Sequence, residues 1–163
     1  MDGMDALKKA VAELRSMKVL VGIPDSGSGS GGISNAELAF LHSHGSPVNH
    51  MPARPFLEPA IEDPKTMDRI AECMRNAFEQ AVAGNRAGAV EELHKAGIYG
   101  ENAAKDYFGS ANLAPNAPIT VEGGWMRNRV SGKPFKVKGK GSSAPLIDTG
   151  NLRSSVTHIV EGE

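Results

Sequence analysis

The apolar positions change their period several times along the chain, and each change predicts an element. Leu7, Ala10, Val11 and Leu14 recur at helical spacing with Lys8, Lys9, Glu13 and Arg15 between them, an amphipathic first helix. "KVLVGI", Lys18 to Ile23, is apolar and β-rich and stops at Pro24, which predicts a strand buried on both faces or nearly so. The glycine and serine that follow predict a flexible loop over about residues 24–33. Ser34 with Glu37 makes a capping box for a second helix that runs to about His42 and stops near Gly45. "MPARPFLEPAIED" holds Pro52, Pro55 and Pro59, so it bends and has room only for a helical turn.

Two long helices come next. Met67, Ile70, Ala71, Met74, Phe78, Ala81 and Val82 keep the 3.6-residue period until Gly84, and Asn85 can cap a second stripe of Val90, Leu93, Gly97, Gly100, Ala104 and Tyr107. Gly97 and Gly100 each cost roughly 1 kcal/mol against alanine inside a helix, so on an inner face they predict another backbone close by. Beyond Gly109 the periodicity weakens into a long excursion with at most one short helix, near Asn116, and an extended basic arm over about residues 123–144. Glycine and lysine between Gly132 and Gly141 leave little apolar surface to offset ordering entropy, so the arm is expected to be mobile. In "PLIDTGNLRSSVTHIV", Asp148 or Thr149 can cap a short turn, Gly150 permits a reversal, and "SVTHIV" alternates as a strand able to join "KVLVGI". The expected fold over residues 1–163 is one α+β domain: a small, mainly antiparallel sheet packed against two long helices, with a long basic loop.

Composition narrows the chemistry. Lys and Arg total 18 against 19 Asp and Glu, a net charge of −1, so an electrostatic partner needs a local patch. That patch is the run Arg127, Arg129, Lys133, Lys136, Lys138 and Lys140, which has no acid between Trp125 and Lys140 and could track phosphates or stay a solvated loop. Cys73 stands alone, which excludes an internal disulfide framework and reads as a buried small hydrophobe of a protein made in a reducing cytosol. No apolar run reaches membrane-spanning length, and the acidic start "MDGMD" does not read as a signal peptide. Gly27, Gly29 and Gly32 match GxGxxG, but no second strand or acid follows where a dinucleotide site needs them. His42, His44 and His50 are close in sequence, yet a spacing of two turns the first pair to nearly opposite sides of a helix. No nucleophile with a base and no fixed pair of carboxylates stands out. Neither enzyme activity nor a metal or cofactor is expected.

The order "ISNAELAFLHSHGSP", "MPARPFLEPAIED", two helices, "NLAPNAPIT" and "PLIDTGNLRSSV" covers most of the chain, from about Val19 to Val160. In this order the motifs resemble the tail-completion or neck (head–tail joining) proteins of tailed bacteriophages, including virion morphogenesis proteins of Mu-like phages and prophages. His44 stands where those proteins tend to carry an aromatic before the glycine. The resemblance implies a structural protein assembled with copies of itself in a ring, between the head connector or adaptor and the tail-tube or tail-terminator proteins. DNA would pass through the ring; the location would be the virion neck, after assembly in the host cytoplasm.

Candidate assembly residues follow. Arg54, between two prolines that hold the backbone extended, is expected to point outward, while Phe56 enters the core. Arg153 can pair with a carboxylate of its own chain or a neighbour. Asp148 and the arm residues Lys133, Lys136, Lys138 and Lys140 complete the set. Both arginines could instead only pin their own loops. Near-neutral charge and few expected exposed apolar side chains predict a monomer or weak oligomer when alone. The alternative reading is a nucleic-acid-binding module using segment 127–140.

Overall fold

The computed structural model describes residues 3–25, 32–147 and 150–163. Helix α1 (Gly3–Arg15) leads into strand β1 (Lys18–Gly22). Helix α2 (Asn35–His44) begins on the predicted capping box: Ser34 accepts from the Glu37 amide while the Glu37 carboxylate accepts from the Ser34 amide. A 3₁₀ turn (Pro47–Asn49) and the short helix α3 (Leu57–Ile61) make the proline bend. Helices α4 (Pro64–Val82) and α5 (Arg86–Tyr107) follow, each with a side-chain cap, from Asp63 and Asn85. Gly84, at φ 76°, makes the reversal between them in a backbone region that other residues resist.

After α5 come α6 (Pro118–Glu122), β2 (Gly123–Arg127), β3 (Pro134–Lys138), α7 (Asn151–Ser154) and β4 (Thr157–Glu161). β4 returns to pair antiparallel with β1, from Lys18 opposite Glu161 to Gly22 opposite Thr157, as the alternation predicted. Gly150, at φ 81°, is the N-terminal cap of α7; the proposed caps Asp148 and Thr149 lie outside the described residues. The fold is α+β, with the two long helices packed against the β1–β4 sheet and the separate β2–β3 sheet against α6.

Three contiguous apolar clusters hold it. One gathers Phe56, Phe108, Leu113, Leu146, Leu152 and Val156 around the ends of α3, α5 and α7. The second joins Met17, Ala77, Leu93 and Val160, so α4, α5 and the sheet share it. Ala10, Ala81 and Ala89 form the third, where small side chains let α1, α4 and α5 approach closely. The predicted close approach at the α5 glycines is met by the sheet: a Cβ on Gly97 would lie 2.4 Å from the His158 ring, and one on Gly100 3.1 Å from Val21.

Two expectations are corrected. β1 is only half-buried, because its sheet has two strands and one covered face; Leu20 and its register partner Ile159 lie exposed on the other. The basic arm is no irregular loop but an antiparallel hairpin, with Trp125 opposite Lys136 and Met126 opposite Phe135. Its turn is closed by Asn128, whose Oδ1 accepts from the amides of Val130 and Ser131. The two-residue alternation of "WMR" and "FKVK" is the signal that the glycine and lysine density masks.

Gly97→Ala is expected to lower stability by about 1–3 kcal/mol, the usual cost of overpacking a seam. Gly3→Ala, in a helix with open space around the site, should be neutral or gain up to about 1 kcal/mol. Denaturant midpoints of the two variants check both.

Candidate functional site

Arg54 does not point outward. It is 7% exposed, its amide donates to the His42 carbonyl at 2.8 Å, and its Nε and Nη2 donate to the carbonyls of Ala114 and Pro115 at 2.7 and 2.8 Å. The prolines do extend the backbone, but toward the segment after α5, where two neighbouring carbonyls gather under one planar fork. Burial lowers the guanidinium pKa, and burial first, then Arg54 and Lys140, lowers that of His42. His42 Nδ1 is buried with no partner among the described residues. Phe56 enters the core as expected and packs on Phe108, ring centroids 4.6 Å apart.

Arg153 reaches the end of α5. Its Nε donates to the Lys105 carbonyl at 2.7 Å and its Nη2 lies 3.5 Å from Asp106 Oδ1, so it meets both carbonyl and carboxylate near a helix C-terminus. About half of its side chain stays exposed along an open cleft of about 540 Å³ that Phe108 and Ile147 also line. Asp148, the other candidate from this segment, lies outside the described residues, as do Gly27 and Gly29 of the GxGxxG match. No group of three ligating side chains converges among the described residues; His44 stacks on Phe40 and shares a hydrogen bond with its carbonyl.

The hairpin sorts its side chains by register. Met126, Phe135 and Val137 share the face on which Gly124 meets Ile119 of α6. Trp125, Arg127, Lys136 and Lys138 share the other, and Trp125 is 70% exposed. Among the described residues Arg127, Lys133, Lys136 and Lys138 form no ion pair. Lys140 differs: its Nζ is 3.4 Å from the Ile147 carbonyl. Arg129 donates to the Val48 carbonyl and ties the hairpin tip to the 3₁₀ turn.

Sequence reasoning missed two features. Met67, Ala71, Met74, Phe78 and Val82 form one exposed row on α4, because the helix buries a neighbouring line through Cys73, Ala77 and Ala81 instead. The period predicts a stripe, but only packing decides which edge of a wide stripe is covered. The second is a polar chain between α5 and β4. Glu101 accepts from Lys105 Nζ at 2.5 Å and lies 2.6 Å from His158 Nδ1, while His94 bridges His158 and Glu163. Val156, His158 and Val160 alternate on one side of the run, and that company with two buried valines is the signal that could have directed His158 toward the helix.

Set against known protein families, characterised proteins and solved structures, the chain matches none.

Arg54→Ala would strand two carbonyls and is expected to cost about 3 kcal/mol, from hydrogen bonds to a charged donor; Arg54→Lys should recover only part. Thermal melts of both report this. For Glu101, burial is the largest influence and raises the pKa, but the bonds from Lys105 and His158 together lower it below its ordinary 4.5. A lowered carboxylate pKa stabilises the fold above the unfolded value and loses that contribution as pH falls through the folded one. The melting temperature should therefore fall less steeply below about pH 4.5 in Glu101→Gln than in the parent, as scans between pH 6 and 3 would show.

Proposed function

We propose that the chain is a structural virion component of the neck or tail-completion type, built into a ring between head connector and tail. The motif order supports this, and one structural observation carries it furthest: a single small body leaves two separate apolar patches uncovered. One is the α4 row of Met67, Met74, Phe78 and Val82; the other is the outer sheet face, with Leu20 and Ile159. Few exposed apolar side chains were expected, so this departs from the sequence reading. Exposed patches of this kind mark contact sites. Two different patches on one subunit are what a head-to-tail contact requires, and such contacts close into rings when the rotation allows. The two-stranded sheet adds unpaired edges that a neighbour's strand can use.

In this reading the copies touch patch to patch, and the residues that fasten the fold, such as Arg54 and Phe56, act by holding the patches in place. The work is mechanical, with no reaction.

Two experiments test it. Deleting the gene from an inducible prophage that carries it should leave filled heads and tails unjoined in electron micrographs; joined, infectious particles would refute the neck role. In light scattering, the purified chain should associate as concentration rises, and Phe78→Asp or Ile159→Asp alone should each give a monomer. Mixing the two variants should restore dimers and nothing larger, because each keeps the patch the other lost. A mixture that stays monomeric would exclude the head-to-tail contact.

A further inference from the structure

We infer that the outward face of the β2–β3 hairpin is a nucleic-acid-binding platform, with Arg127, Lys136 and Lys138 on phosphates and Trp125 against a base or sugar. Register puts these four side chains on one face, since Trp125 lies opposite Lys136, Gly123 opposite Lys138 and Arg127 opposite Pro134. The other face meets α6 at Gly124 and Ile119, and its Met126 and Phe135 are 43% and 45% exposed against 70% for Trp125, so the basic face is the more open of the two.

Three properties of this face point to a polyanion that also offers flat rings. Its cations have no carboxylate partner among the described residues, so binding breaks no ion pair. A large indole held in water beside them gives no return to the fold, whereas base–aromatic stacking is a sequence-tolerant source of affinity. A two-stranded ribbon also fits the width of a DNA major groove. Charge is segregated to match: six Lys and Arg fall between Arg127 and Lys140 without an acid, and outside that run 12 Lys and Arg face 19 Asp and Glu. The acidic remainder keeps phosphates away from the body and leaves the hairpin as the attractive surface. The Asn128 turn and the Arg129 bond to Val48 fix the ribbon at its tip, so the platform is formed before its partner arrives. An acidic protein would satisfy the lysines but has no need of the exposed indole.

The inference goes beyond the neck reading and stands without it, because binding by the purified chain involves neither heads nor tails. Trp125 is the only tryptophan, so its fluorescence reports the hairpin directly. Titrating the full chain with a 12-nucleotide oligothymidine, and separately with a 12-base-pair duplex, should quench and saturate the signal in at least one case. Three phosphate contacts predict a slope of log affinity against log salt between about −2 and −3. Lys136→Gln with Lys138→Gln should weaken binding at least tenfold and flatten the slope, with the melting temperature kept. Absence of quenching at 50 mM salt, or a slope near zero in the parent, would overturn the proposal, and the parent's slope decides this even if the variant misfolds. Equal quenching by poly-glutamate and oligothymidine would also overturn it, in favour of an acidic protein partner.

Discussion

The close approach of β4 and β1 to one face of α5 is the constraint on which the other arrangements depend. Gly97 and Gly100, with Ala96 and Ala104, give that helix a nearly flat side on which the His158 ring and Val21 rest. A two-stranded sheet is marginal by itself in water, so the pair is stable only because it is pressed against this helix. The glycines weaken the helix locally, and α5 offsets that with its length, its Asn85 cap and the alanine seam it shares with α4. His158 then does two things at once: it fills the space the missing Cβ leaves, and it bonds to Glu101 so that a polar ring in a tight seam has a partner.

Once the sheet is seated, the chain ends have to be held around it, and polar fastenings do this where apolar area is short. Arg54 binds the stretch after α5 to the proline bend. Arg153 binds α7 to the last turn of α5, and so fixes where β4 starts. Arg86 draws α1 and the C-terminal strand together by reaching both Glu13 and the Gly162 carbonyl. Each uses a guanidinium to reach a carbonyl left without an amide, in irregular backbone for Arg54 and Arg86 and at a helix end for Arg153, a task suited to a planar fork of donors.

The sequence made local features legible and left long-range ones dark. The capping box at Ser34, the Asn85 cap and the Gly84 stop follow from residue type and period, because the energies that set them act within a few positions; the β1–β4 pairing is the long-range exception, legible because only two apolar, β-rich runs were available to pair. The direction of Arg54 was not readable, since it depends on carbonyls 60 residues away. Phe56 was, because an aromatic after a proline bend has few other places to go. The hairpin was readable in principle from the alternation of Trp125 to Arg127 and Phe135 to Lys138, but composition outweighed period there. The uncovered edge of the α4 stripe could not be read at all: sequence fixes the width of an apolar stripe, and tertiary packing chooses the part that is used.

What remains uncovered follows from the economy of a small body. A domain of this size buries only part of its chain's surface, and here the best-covered surfaces surround α5, with Ala96 and Ala104 almost fully buried. Apolar side chains on α4 and on the outer sheet face are one layer too far out, and Trp125 is farther still, on a ribbon whose other face meets α6. Exposing these groups gains nothing for an isolated domain and raises its risk of aggregation. The proposed contacts would supply the missing cover: apolar neighbours for the two patches, a polyanion for the basic ribbon. The hydrogen-bonded turn of that ribbon and its tie at Val48 hold it ready, so ordering is not left to the moment of contact.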